Sequence, residues 1–289
     1  MEKQQPPTYT PRVDRPDRAD ESLRSNQAEK QTSPETADGQ PQNHASTPPA
    51  PTFQSKFASL SLHQHDRIRL LQFPDSAANT VRQAIQKSWP QGIQDQRHIH
   101  NSLELKLKGL PWLGPGSDAM HARRLMRTIF EDLFDAGWVL SLSTDVSKRN
   151  RDKDTLIFRQ QIPPAKPRDW ICVAFSKKDR LRVMDAPEEL LDAIYEGIRD
   201  VIQEKVSHQM KGVWEVKLRG WPWAAISGDD VMKARGLLLR LFAILESHGF
   251  TVYASIDQKA DLDSEKGETD TWHCCRPKDW EIGAPVYHW

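Results

Sequence analysis

Two stretches decide the fold: "LELKLKGLPW", residues 103–112, and "WEVKLRGWPW", residues 214–223. Each alternates apolar and polar residues, as a half-buried strand does, and each ends in Gly-x-Pro-Trp. The flanks recur as well. Upstream, "FASLSLH" and "DRIRLLQF" (57–63, 66–73) read as a hairpin, matched by "WICVAFS" and "DRLRVMDAP" (170–176, 179–187). A helix follows each hairpin. Val81, Ala84, Ile85 and Trp89 carry the first apolar stripe. Leu191, Ile194, Ile198, Val201 and Ile202 carry the second, with Pro187 suited to its first turn.

Downstream of each Gly-x-Pro-Trp the spacing predicts a strong helix. Ala122, Leu125, Met126, Ile129, Phe130 and Leu133 form one stripe, and Ala234, Leu237, Leu238, Leu241, Phe242 and Leu245 the other. Ser117 and Ser227 are the candidate N-caps, and Gly137 and Gly249 stop the helices in the left-handed conformation. Burying one large apolar side chain is worth roughly 1.5–3 kcal/mol, so each stripe can fix its helix against a sheet. The strands "WVLSLSTD" and "FTVYASID" (138–145, 250–257) follow. After a polar excursion come "DTLIFRQ" (154–160) and "DTWHCCR" (270–276). The period is too long for a solenoid. The reading is an α+β protein made by tandem duplication of a β-β-α-β-α-β-β unit, with mixed sheets and helices packed on one face. The expected organisation is a disordered tail over residues 1–51, a first unit over 52–166, and a second over 167–289 packed tightly on the first. The tail is assigned to disorder because its composition, rich in Pro, Gln, Ser and Thr, buries too little surface to offset ordering entropy.

Composition narrows the function. Among 289 residues, 40 Lys and Arg balance 40 Asp and Glu, so no global field draws the chain to nucleic acid or an anionic membrane. Nucleic acid and membrane are not expected partners. Three cysteines make no disulfide framework, and no signal core or long apolar run is present. An intracellular protein of cytoplasm or nucleus, not a secreted one, is the expectation. No Gly-rich phosphate loop, dinucleotide fingerprint or nucleophile elbow appears, and no cofactor is expected.

The candidate contact residues come from the repeat itself. Trp112 and Trp223 end the two decisive strands. Trp221 and Trp272 stand where the first copy has Leu110 and Leu156, which marks them as surface positions. Arg123 and Arg235 occupy equivalent places on the strong helices. Asp145 matches Asp257, and Asp154 matches Asp270, at the ends of the polar excursions. Such Asp side chains close loops onto backbone; converging, they would bind a ligand or act as acid and base. "HCCR" invites a metal reading, but adjacent strand residues point to opposite faces, so Cys274 reads as a core residue and no metal site is assigned. The basic run 148–153 reads as a solvated loop.

The phrases "LKLKGLPW", "DVSKRNRDKDTLIFR", "ETDTWHCCRPKDW" and "GAPVYHW" resemble an uncharacterised family of filamentous-fungal proteins. The resemblance covers most of residues 53–289. It implies a fungal origin and the two-unit arrangement, and it supplies no catalytic residues. The functional expectation is a non-enzymatic binding or scaffold protein with a protein partner. The alternative is a small-ligand protein or enzyme with an Asp- and Arg-lined cleft between the units.

Overall fold

The computed structural model describes residues 54–114, 116–144, 154–258 and 270–287. The expected tail, Asp145, the basic run 148–153 and residues 259–269 of the matching excursion lie outside the described residues. In the first copy, β1 (Phe57–His63) and β2 (Arg67–Leu71) form the expected hairpin. They are followed by α1 (Asp75–Ser88), β3 (Ile93–Ile99), β4 (Ser102–Leu107), α2 (Ser117–Asp135), β5 (Trp138–Thr144) and β6 (Thr155–Gln160). The second copy repeats the series: β7 (Arg168–Ser176), β8 (Arg180–Met184), α3 (Glu188–Gly197), β9 (Ile202–Val206), β10 (Val213–Leu218), α4 (Gly228–Ser247), β11 (Thr251–Ile256) and β12 (Thr271–Pro277).

The unit is therefore ββαββαββ, one strand longer than the spacing predicts. The extra strands, β3 and β9, lie at sheet edges. "IQDQRHI" of β3 is solvent-exposed along most of its length and carries no apolar alternation to betray it. Val201 and Ile202 fall at helical spacing from Ile198, but α3 ends at Gly197 and Ile202 opens β9. The expected mixed sheets are also corrected, because every strand pair is antiparallel. The first sheet runs β3-β4-β2-β1-β6-β5, and the second runs β9-β10-β8-β7-β12-β11, the same order. Helix α1 carries the chain from β2 out to the edge, and β4 then inserts between β2 and β3. The two strands joined by the crossover run parallel without touching.

The helices of each unit cover one face of its sheet. In the first unit Leu60, Leu62, Ile68, Leu70, Leu105 and Phe158 meet Val81, Ile85, Leu125, Ile129 and Leu133 in one core. In the second, Val173, Phe175, Leu181 and Val216 meet Leu190, Ile194, Leu237, Leu241 and Leu245. The caps differ. Ser227 caps α4, its Oγ accepting from the Asp230 N–H at 3.3 Å, whereas α2 is capped by Gly116 and Ser117 is already helical.

The other face of the second sheet is also covered, by α2 of the first unit. Ala119 and Met120 of α2 pack with Cys172, Ala174 and Met184. Phe130 and Phe134 meet Trp170, Tyr253 and His273 edge-on, at ring distances of 5.0 to 5.9 Å. The Leu140 N–H donates to the Tyr253 hydroxyl at 2.6 Å. Asp185 clamps the helix through Arg124, at 2.7 Å, and Arg127, at 3.4 Å. The layers therefore run sheet, helices, sheet, helices. The outward face of the first sheet and the outward face of α4 carry no covering element among the described residues.

Candidate functional site

The two Gly-x-Pro-Trp endings fold alike. Gly109 (φ 82°) and Gly220 (φ 71°) adopt the left-handed conformation that side chains disfavour. The turn swings each Trp back onto its sheet. Trp112 Nε1 donates to the Arg67 carbonyl at 3.3 Å, and Trp223 Nε1 to the equivalent Arg180 carbonyl at 2.9 Å. Trp112 is fully buried, and Trp223 is half-buried with its ring 4.7 Å from Phe175. Trp272 is also buried, its ring 4.7 Å from those of both Phe175 and Phe242. Trp112 and Trp272 are thus packed in the core: an indole inside a sheet core gains more from apolar neighbours than it would in water.

Trp221 alone of the four tryptophans faces solvent, at 66% exposure. Its ring sits beneath the Lys178 ammonium at 5.0 Å, a cation–π contact. It lines a groove of about 500 Å³ between the end of β10 and the N-terminal turns of α4. Pro222, Ala225, Ile226 and Leu237 supply apolar walls, and Arg219, Asp230 and Lys233 a charged rim. Ile226 is 96% exposed. A large indole beside bare aliphatic carbon is the surface that protein anchors use.

Arg123 and Arg235 share a helix position but not an environment. Arg123 is buried between the units, its Nε donating to Thr271 Oγ1 at 3.2 Å, while Arg235 is exposed on α4. Two of the aspartates do what short polar side chains do at strand ends. Asp154 accepts from Ser143 Oγ at 3.1 Å, and Asp270 from Ser255 Oγ at 2.8 Å, the same contact in each copy. Asp154 also accepts from the Asp257 N–H at 3.2 Å, tying the two units together.

Three arrangements escaped the sequence reading. Cys172 and His273 oppose each other on β7 and β12, Sγ to Nδ1 3.5 Å, and His273 Nε2 lies 3.1 Å from Gln258 Nε2. Burial pushes the Cys172 thiol up to about 12. Burial, with Arg127 and Arg123 adding to it, lowers His273 to about 3. The thiolate–imidazolium form that nucleophilic catalysis needs is disfavoured at both members. The second arrangement is Glu104, buried on the outward face of the first sheet beneath Arg67, Arg69 and Arg97. Burial alone would raise its carboxyl, but hydrogen bonds from Arg69, Arg67 and Arg97 outweigh it and hold the group at about 2. Glu215 repeats the motif with Arg180 and Arg182. Its signal was present as Glu104 and Glu215 in the decisive stretches and Asp-Arg-x-Arg in the hairpins. The third is the Asp185 clamp, which has no counterpart in the first copy, where Gln72 stands. Among the described residues no group of three His, Cys, Asp or Glu side chains converges as metal ligands would. No described helix is long and apolar enough to cross a membrane.

A protein-family model matches the chain twice, over residues 56–159 and again over 169–275. The chain belongs to that family, with two copies of its domain. The matched spans take in α1 to α4 and nearly all of both sheets. Neither a curated protein nor a solved structure matches it.

Proposed function

We propose that this family member is a non-enzymatic binding protein that holds an apolar anchor side chain of a protein partner in the groove beside Trp221. The observation that carries this reading is the 66% exposure of Trp221 on the wall of a groove of about 500 Å³. Supporting it, Trp223, two residues further on in the same turn, is half-buried and hydrogen-bonded, so this turn keeps one tryptophan in the fold and presents the other to solvent. The junction between the units is filled by Phe130, Phe134, Trp170 and Tyr253. The binding surface therefore belongs to the second unit alone.

The test is selection of displayed peptides on the full-length chain. Peptides with an aromatic or aliphatic anchor are expected, and Trp221→Ala should weaken them at least about tenfold, as loss of an anchor pocket does. Leu110→Ala, at the equivalent turn of the first copy, should leave them unchanged. Peptides that bind the Trp221→Ala protein as tightly as the original would overturn the reading.

A further inference from the structure

Helices α2 and α4 align without a gap, Asp118–Gly137 against Asp230–Gly249. Three residues by which α2 holds the second sheet recur identically on α4: Met120 as Met232, Arg123 as Arg235, and Phe130 as Phe242. On α2 all three are buried. On α4, Met232 is 61% exposed, Arg235 is exposed, and Phe242 is 37% exposed. Leu239, 71% exposed, lies between them on the same face. The second unit therefore carries the docking face of a helix that docks on nothing within the described chain.

The first sheet carries the other half of that contact. Across its outward face Leu142, Ile157, Ser59 and Leu71 lie in register. The row corresponds to Ala254, His273, Cys172 and Met184 of the second sheet, the row that receives α2. Leu142 and Leu71 are exposed. Thr155 stands where Thr271 accepts the hydrogen bond of Arg123. The two free faces also depart from the internal pair in a matched way. Inside the chain, Arg124 and Arg127 meet Asp185. On the free faces, Gly236 and Leu239 replace the two arginines, and Gln72 replaces the aspartate. At these three positions charge has left both sides together, so Gly236, Leu239 and Gln72 would strand no unpaired ion on contact.

We propose that α4 of one copy docks on the outward face of the first sheet of a second copy, head to tail, repeating the contact that α2 makes with the second sheet. The two faces are different, so the contact is heterologous and extends into a ring or an open filament. Ser59 and Ser61, in place of Cys172 and Ala174, keep the receiving face wettable while it is free. This goes beyond the Trp221 groove: Leu110, at the place of Trp221, stays exposed beside the internal contact, so Trp221→Ala should leave the assembly intact.

Sedimentation of the full-length chain from about 1 μM to about 1 mM tests it. The mean mass should grow with concentration past that of a dimer. Leu239→Glu and Leu142→Glu should each keep the protein monomeric with unchanged melting, since both positions are exposed. Mixed one to one, the two variants retain one good face each and should form a heterodimer that does not extend. Should Leu239→Glu disturb folding, Met232→Glu takes its place. A wild-type chain that stays monomeric over the whole range would overturn the proposal. So would assembly that survives Leu142→Glu, which would mean a symmetric contact between two α4 helices, or variants that fail to pair when mixed.

Discussion

Helices α2 and α4 hold the same place in two copies of one unit, yet their fates differ. Eleven residues of α2 are buried, against three of α4. Both bury the stripe that faces their own sheet. The surplus on α2 comes from its second face, which lies on the neighbouring sheet. The same holds for the sheets: β7 is buried from Trp170 to Ser176 on both sides, while β1, its equivalent, is buried only at Ala58, Leu60 and Leu62. One duplication thus produced one internal interface and left two unmatched halves of the same interface at the ends. Position in the stack, rather than the identity of the unit, decides which apolar residues are core.

The sharpest way to break this comparison is to delete the same side chain from both helices. Phe130 of α2 is fully buried between the two sheets, and its removal leaves a cavity lined by Phe158 of the first and Tyr253 and His273 of the second. Phe130→Ala should cost about 3–5 kcal/mol. Phe242→Ala loses one tilted contact with Trp272 and partly exposed area, and should cost about 1 kcal/mol. Urea midpoints at unchanged slope would read both. Equal costs would mean that the α4 face is not free in the isolated chain.

A second test exchanges residues across the two sheet faces. His273 lies where the first sheet has Ile157, enclosed by Phe130, Cys172 and Gln258, with Arg123 and Arg127 nearby. An unfolded imidazole takes up its proton near pH 6.5, the buried one only near 3. Between those values the unfolded state binds more protons, so the stability held above pH 6.5 is lost as pH falls toward 3. His273→Ile should remove that loss and raise stability at pH 5, relative to pH 7, by on the order of 2 kcal/mol. Thermal melts of both proteins at the two pH values would measure it. Parallel acid slopes would show that the imidazole is protonated without difficulty in the fold.

The duplication, both hairpins and all four helices were legible, because apolar periodicity and the repeated glycines write them directly. The edge strands β3 and β9 were not. A strand that faces water on both sides needs no alternation, and pairing alone holds it. Trp221 was legible as a surface residue from Leu110, but the same reasoning failed for Trp272. Leu156, its counterpart, is itself fully buried, so a Leu-to-Trp exchange between copies says nothing about exposure in a central strand. Arg123 and Arg235 could not be told apart, since no local pattern records that the second sheet covers one helix and leaves the other bare. The Cys172–His273 pair joins residues far apart in sequence and follows only from strand register.

The smallest expected effect concerns the charge that distinguishes the internal contact from its free counterparts. Asp185 meets Arg124 and Arg127 at a junction open enough that a quarter of its side chain remains accessible, so solvent weakens the pair. It also holds a left-handed backbone (φ 60°), which asparagine tolerates as well as aspartate. Asp185→Asn therefore removes the charge without straining the turn. It should cost about 1 kcal/mol, less at high salt. The converse change, Gln72→Asp on the first sheet, should shift the stability of a lone chain by less than about 0.5 kcal/mol, because Gly236 and Leu239 offer it no arginine even across a docked copy. If Gln72→Asp proved as consequential as Asp185→Asn in dilute solution, the first sheet would already be covered within one chain, and the two faces would not be the unequal pair described here.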